Sequence, residues 1–309
     1  MTCLVVGSVA LDNICTPEGS RENAVGGSAS YFSLTASRFT DVNMVAVVGE
    51  DFPCETIELF RECGINTDGL HIATGKTFSW GGRYHSNMKE RDTLYTHLNV
   101  FETFDPVLPK KYRRSDFVFL GNIHPSLQLK VLDQMDCKAV VGLDSMNLWI
   151  DRAKDKLMEV ICRVDILMIN DEEILQLTGC SDLTEGARLL MEEGPEYIVA
   201  KKGKYGAELH CCDNTFHFKI CPENRLVDPT GAGDTFAGGF MGYLSQCGKP
   251  ERKDYINAMK YGTVMASFAV ESFSFDRIVE AGENDIFRRL ENFEKNECQT
   301  IQLPSQDGR

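Results

Sequence analysis

The sequence predicts an α/β fold: a mostly parallel central sheet in a three-layer sandwich, with a small β lid. Short apolar runs, four to six residues long and often β-branched, alternate with amphipathic stretches of helical period. Each run ends near Gly, Asn or Asp, as buried strands do before turning into a helix. Two polar, turn-rich segments, about 12–25 and 76–101, break this alternation and read as hairpins outside the main sheet.

Taken in order, the expected strands are Leu4 to Val6, Met44 to Val48, Phe117 to Leu120, Ala139 to Leu143, Ile166 to Ile169 and Tyr197 to Ala200. Helices are expected near 28–39, 53–63, 151–161, 183–193, 234–246, 253–272 and 284–296. The tail after Glu294 is polar and reads as frayed. In an open α/β sheet ligands sit beyond the carboxyl ends of the strands, so a flap built from the two odd segments would cover that crevice. The whole of 1–309 is expected to be a single domain with the lid segments inserted in it.

Composition narrows the class. With 43% hydrophobic and 25% charged residues the 309-residue chain can bury a large core. The apolar start, Met1 to Gly7, is too short for a signal peptide, and no run approaches the ~20 apolar residues of a membrane span. A cytoplasmic protein without membrane contact is expected. A net charge of −14 opposes nucleic-acid binding but not capture of a small anion by a local nest of N–H groups. The twelve cysteines include no CxxC pair, and the six histidines show no zinc-ligand spacing. Most cysteines are therefore expected reduced and buried, with Cys211-Cys212 at a strand end.

The sharpest chemistry lies in Val227-Asp228-Pro229-Thr230-Gly231-Ala232-Gly233-Asp234-Thr235-Phe236. A Gly-Ala-Gly turn runs straight into a helix, offering close backbone approach, unpaired N–H groups and the positive end of a dipole. That is an anion hole suited to a transferring phosphoryl group, with Asp234 at its edge to accept a proton from an attacking hydroxyl. Read alone, Asp234 also fits a helix cap.

At this segment the chain resembles the ribokinase-like (PfkB) family of carbohydrate kinases, and the resemblance extends over nearly its whole length. Gly7-Ser8-Val9-Ala10-Leu11-Asp12 is similar to the family's first strand and substrate aspartate, and Gly26-Gly27-Ser28-Ala29-Ser30 to its glycine pair. Val47-Val48-Gly49-Glu50-Asp51 resembles its VGxD turn, and Lys89-Glu90-Arg91-Asp92-Thr93 sits where the family has a lid hairpin. Asn170-Asp171-Glu172-Glu173 matches its NxxE motif, and Lys202-Gly203-Lys204-Tyr205-Gly206 is similar to the glycine turn beside its nucleotide.

The resemblance implies a ribokinase-like fold and ATP-dependent phosphorylation of a small sugar or sugar-like polyol. It implies Asp234 as base and the amides of Gly231, Ala232, Gly233 and Asp234 as the anion hole. Asn170 and Glu173 would organise Mg2+ and the phosphates through water; Asn170 alone also reads as a helix cap. Asp12, Gly26 and Gly27 would hold the acceptor, although Asp12 also fits an ordinary turn. Lys202, Gly203, Gly206 and Thr263 would line the nucleotide site. Asp228 and Thr230 sit where some members bind a monovalent cation such as K+, and family lids often pair into homodimers.

One position departs from the family. Four residues after Gly27, where an asparagine usually binds substrate hydroxyls, stands Tyr31. A phenol cannot reproduce an amide's paired donor and acceptor; it can stack on a ring or shorten the pocket. Tyr31, Phe32, Phe78 and Trp80 together would offer an aromatic surface, which keeps a nucleoside acceptor open. Gly69 to Thr77 (GLHIATGKT) imitates a phosphate-binding loop, but its spacing is one residue too long, and it reads as a turn into the lid. A non-catalytic binding protein on the same fold remains the alternative class, opposed by the intact Asp234, Gly231, Gly233, Asn170 and Glu173. A nicotinamide-dependent enzyme lacks support, because no GxGxxG follows the first strand.

Overall fold

The structure, a computed structural model, describes residues 1–212, 214–222 and 225–296. Its strands are β1 (Thr2–Val6), β2 (Ala10–Thr16), β3 (Gly19–Gly26), β4 (Asp41–Gly49), β5 (Ile65–Ala73), β6 (Ser79–Tyr84), β7 (Arg91–His97), β8 (Phe117–Leu120), β9 (Val140–Asp144), β10 (Ile166–Asn170), β11 (Tyr197–Lys201), β12 (Ala207–Cys211) and β13 (Asn214–Phe218). Nine of them form the main sheet in the order β13-β12-β11-β10-β9-β8-β1-β4-β5. Pairing is parallel from β5 to β11, and β12 and β13 are added antiparallel at one edge. The second sheet has the order β3-β2-β6-β7.

The helices are α1 (Ser28–Ala36), α2 (Cys54–Glu62), α3 (Pro125–Leu132), α4 (Asn147–Arg152), α5 (Lys154–Ile161), α6 (Asp171–Thr178), α7 (Leu183–Glu193), α8 (Ala232–Cys247), α9 (Arg252–Ala269), α10 (Asp276–Glu280) and α11 (Glu283–Asn296). Alternate residues of the buried strands enter opposite cores, which makes the sandwich. Val5, Phe119 and Met168 pack with α1, α2 and α8 to α11. Leu4, Val118 and Leu167 pack with α3 to α7 on the other face. Each fully buried Leu or Phe contributes roughly 1.5–3 kcal/mol, and Phe32 adds a stacked contact with Phe119 at 4.4 Å. Both faces are covered, so central strands read as continuous apolar runs rather than alternating ones.

The six expected strands all form, and both odd segments fold into the separate β sheet. The stretch 151–161 is two helices, because Ala153 leaves helical geometry at φ −145°. Gly69 to Ala73 belongs to β5, an exposed, polar edge strand with no continuous apolar run; Gly75 then turns with φ +129° and no helix follows. The cysteines also differ from expectation. Among the eleven described, Cys3, Cys211 and Cys221 are buried, whereas Cys54, Cys137, Cys162 and Cys212 are exposed at helix ends and turns. Cys211 does end a strand. The frayed tail expected after Glu294 lies, from residue 297 onward, outside the described residues. No described helix is long and apolar enough to cross a membrane.

Candidate active site

The parallel strands β9, β10 and β11 end side by side on Asp144, Asn170 and Lys201, with Asn170 in register with Lys201. Beyond those ends the chain re-enters as the turn 228–231 and helix α8. Gly231 takes a left-handed conformation, φ +78°, that a β-carbon would oppose, and a Cβ there would also stand 2.4 Å from the Tyr31 ring. This turn places Asp234 in the first turn of α8. The amides of Gly233 and Asp234 have no backbone acceptor among the described residues, whereas that of Ala232 reaches Pro229 O at 3.3 Å. Helix α8 is clamped close to α1, since a Cβ on Gly238 would meet Phe32 O at 2.6 Å.

Burial lifts the Asp234 carboxyl to about 7, with Asp144 adding to the rise and Lys201 opposing it. Lys201 donates to Asp144 Oδ1 at 2.9 Å, and a Cβ on Gly233 would stand 3.4 Å from its Nζ. Neither Lys201 nor Asp144 belongs to the motifs that single out the site in the sequence. The only available signal was their place as the last residues of two strands. Lys202 instead turns its ammonium to Glu208 at 2.5 Å, away from this cluster. Gly203 and Gly206 make a left-handed turn beside it, with φ +54° and +90°. The Thr263 hydroxyl is buried in α9 and donates to Met259 O.

Asn170 and Glu173 form a reciprocal capping box on α6. Glu173 N donates to Asn170 Oδ1 at 2.7 Å, and Asn170 N to Glu173 Oε2 at 3.0 Å. The box holds both side chains at the strand ends. Burial raises the Glu173 carboxyl, opposed by the Asn170 amide and Lys201.

On the other side of Asp234, Asp12, Gly26, Gly27 and Tyr31 draw together: a Cβ on Gly26 would stand 2.4 Å from Asp12 Oδ2 and 3.8 Å from the Tyr31 ring. Gly27 stands at φ +92°, and its position 2.5 Å from Ser8 O leaves no room for a Cβ. Asp12 is 5% exposed, accepts from the Trp80 amide at 3.1 Å, and is raised to about 7, chiefly by burial. Tyr31 is 1% exposed and packs edge-on to Phe275, as a core aromatic would. Its hydroxyl, however, has no partner among the described residues, and its surroundings are Asp228, Asp12 and Asp234. Asp228 Oδ1 accepts from Thr230 N at 2.9 Å, while its buried Oδ2 has no partner among the described residues. Burial raises that carboxyl to about 6. Phe32 is withdrawn into the core and Phe78 packs on Phe101, so the four aromatics form no common surface.

The small sheet bridges both halves of the crevice. Trp80 reaches Asp12, the Tyr84 hydroxyl meets Thr230 Oγ1 at 3.0 Å, and Lys89 donates to Glu172 at 2.7 Å. A cavity of about 540 Å³ lies elsewhere, between α9 and α11, and its arginines are engaged by Glu271, Asp285 and Glu280.

The sequence model of the pfkB family carbohydrate kinases matches residues 2–280. The chain belongs to that family. As a pfkB family kinase it is an ATP-dependent phosphotransferase of the carbohydrate and nucleoside kinase class. It is 30% identical over 256 residues to the cytidine kinase of Thermococcus kodakarensis, covering 80% of this chain and 89% of that one. It is 33% identical over 260 residues to the aminoimidazole riboside kinase of Salmonella typhimurium, covering 78% and 80%. Its fold is similar to that of Arabidopsis thaliana ribokinase complexed with ribose and ATP, at a TM-score of 0.74, 18% identity and coverage of 93% and 98%.

Proposed function

We propose that this pfkB family kinase phosphorylates a hydroxyl of a small, neutral sugar-like polyol bound between Asp12, Gly26, Gly27 and Tyr31, with Asp234 as the base. The observation that carries the reading is the position of Asp234. It stands at the glycine-turned start of α8, between the Asp144–Lys201 pair and the Asp12/Tyr31 pocket. In the transfer, Asp234 takes the acceptor's hydroxyl proton as the oxygen forms its bond to the γ-phosphorus. The bond from that phosphorus to the bridging oxygen breaks, and its electron pair leaves with ADP. The Gly233 and Asp234 amides meet the charge that builds on the phosphoryl oxygens. The four-stranded sheet, as a lid within one catalytic domain spanning 1–309, excludes water from that step.

Among the described residues no three acidic, histidine or cysteine side chains converge to cage a metal. The fit is therefore to Mg2+ carried on the phosphates of ATP, a mode that needs one or two carboxylates. Glu173, whose charged form burial disfavours, is the group such a cation would stabilise, with Asn170 holding it. The ion would neutralise phosphate charge. The unpartnered Asp228 Oδ2 beneath Thr230 supports a K+ requirement of the same loop. Gly203 and Gly206 border the nucleotide. Thr263 contributes to the wall of its adenine end through packing. The exposed edge of β7 suits pairing into a homodimer, and dependence on ATP suits a cytoplasmic enzyme.

Asp12 and Asp228 both border the Tyr31 hydroxyl, which favours neutral acceptors over sugar acids. Similarity to the cytidine kinase supports a nucleoside as the second acceptor class. An ADP-release screen of the purified chain against pentoses, hexoses, inositols, sugar acids and nucleosides tests the reading. Turnover of a neutral polyol is expected; turnover of nucleosides alone moves the assignment to the second class. Turnover of sugar acids alone refutes the charge argument.

A further inference from the structure

A lysine at the end of a central strand, pointed at an anion hole, is expensive to place there. Lys201 closes β11 with its side chain 21% exposed, among Asp144, Glu173 and Asp234. The hydrogen bond its ammonium makes among the described residues goes to Asp144 Oδ1 at 2.9 Å. An ammonium has three N–H groups, so two remain for another acceptor. The helix start lies close by: a Cβ on Gly233 would be 3.4 Å from Nζ. The ammonium thus stands across from the Gly233 and Asp234 amides, and an anion resting on those amides would lie within its reach. The neighbouring Lys202 is consumed by Glu208 and offers no substitute.

We propose that Lys201 is a catalytic residue of this site, a fixed cation that contacts the phosphates of bound ATP, and that Asp144 is the positioning residue that aims it. This rests on the kinase reading of the Asp234 site. Lys201 keeps its proton throughout; its role is to meet negative charge as the bond to ADP breaks, while the proton of the acceptor goes to Asp234. Asp144 supplies one anchor to a flexible four-carbon side chain, so the ammonium faces the phosphates rather than solvent. The pair also explains why a lysine is tolerated beside Asp234 without quenching it, since Asp144 balances its charge.

The test needs no acceptor. Titration calorimetry of the full chain with MgATP, ADP and adenosine is compared among wild type, Lys201→Met, Lys201→Arg and the double variant Lys201→Met/Asp144→Asn. The Met variant should bind MgATP and ADP about 10- to 100-fold more weakly, the size of a lost hydrogen bond to a charged group. Its affinity for adenosine, which carries no phosphate, should change less than about twofold. The Arg variant should recover part of the loss. In the double variant MgATP affinity should rise above that of Lys201→Met, because an unbalanced Asp144 carboxylate would otherwise face the phosphates. Equal loss for adenosine and MgATP would show a structural lysine and overturn the proposal, as would unchanged MgATP binding. Wild-type protein that binds neither MgATP nor adenosine would overturn the kinase reading itself, a result distinct from a Met variant that binds both normally.

Discussion

Asp234 and Tyr31 show how a single side chain takes its chemistry from what surrounds it. Burial lifts Asp234 to about 7, and Asp144 and Lys201 pull that value in opposite directions. A general base works when it is ionised yet still basic, which places a useful pKa near the working pH. kcat/KM should therefore rise as pH climbs through about 7 and flatten above it. Asp234→Asn keeps the shape and removes the base. It should lower kcat by roughly 10³-fold while MgATP affinity stays within a factor of about three. A variant that retains about a tenth of the activity would put the base elsewhere. Tyr31 presents a different case, a core aromatic whose hydroxyl lies unpartnered among three carboxyl groups. Tyr31→Asn should change the ranking of acceptors in a mixed panel, with a loss of roughly 1–3 kcal/mol for the preferred one. Parallel losses on every acceptor, together with a lower Tm, would mark Tyr31 as core and nothing more.

At the level of elements, the site is a junction of strand ends, one helix start and a separate sheet. Strands β9, β10 and β11 set the spacing of Asp144, Asn170 and Lys201: Asn170 is in register with Lys201, and Asp144 with Met168 two residues earlier on β10. Helix α8 brings Asp234 to them and is held by its close fit on α1 and α9, where glycines replace larger side chains. The small sheet touches both halves at once, through Trp80 on Asp12 and Tyr84 on Thr230. Tyr84→Phe removes the second contact and leaves the ring's packing with Ile14 and Ala24. A hydrogen bond of this kind is worth about 1 kcal/mol. The acceptor KM should rise about fivefold, and ATP hydrolysis without acceptor should increase as water gains entry. Unchanged values for both would mean that the sheet is not held closed by this contact.

For the molecule as a whole, the pocket is a store of unfavourable charge. Asp12, Asp228 and Asp234 are raised from 3.8 to about 7, 6 and 7, each first by burial. Between the unfolded and folded values the native chain binds more protons than the unfolded one, so stability falls as pH rises across that interval. The cost is absent below about 4, where these groups are protonated in both states, and complete above about 7. Thermal unfolding should thus show Tm declining from about pH 5 to about pH 8. Asp12→Asn should flatten the curve and raise Tm at the alkaline end, by roughly 2–4 °C for each kcal/mol relieved. A Tm that rises over the same interval would contradict the burial of these carboxyl groups.

Much of this protein was decided along the chain. Uninterrupted apolar runs such as Phe117 to Leu120, too short for a helix, read as strands covered on both faces, and the Gly-Ala-Gly turn before Asp234 reads as a tight entry into a helix. Local sterics and hydrophobic period are properties of neighbouring residues, so a sequence carries them in full. The edge strand β5 escaped because a polar, partly exposed strand carries little of that period, and the hairpin β12–β13 because Glu208, His210 and His217 interrupt its apolar runs. Asn170 and Glu173 were legible as a spacing, yet that spacing serves a capping box as well as it serves a ligand site, and only the folded contacts show the box. Tertiary structure alone chose Lys201 over Lys202, since the strand ends between them and nothing local says which side chain faces Asp144. It also set Tyr31 against Gly231, two residues 200 positions apart, and left the phenol without a partner among the described residues. Burial and charge at such a point are sums over distant groups, which is why the pKa values of Asp12 and Asp234 could be read only after the chain had folded.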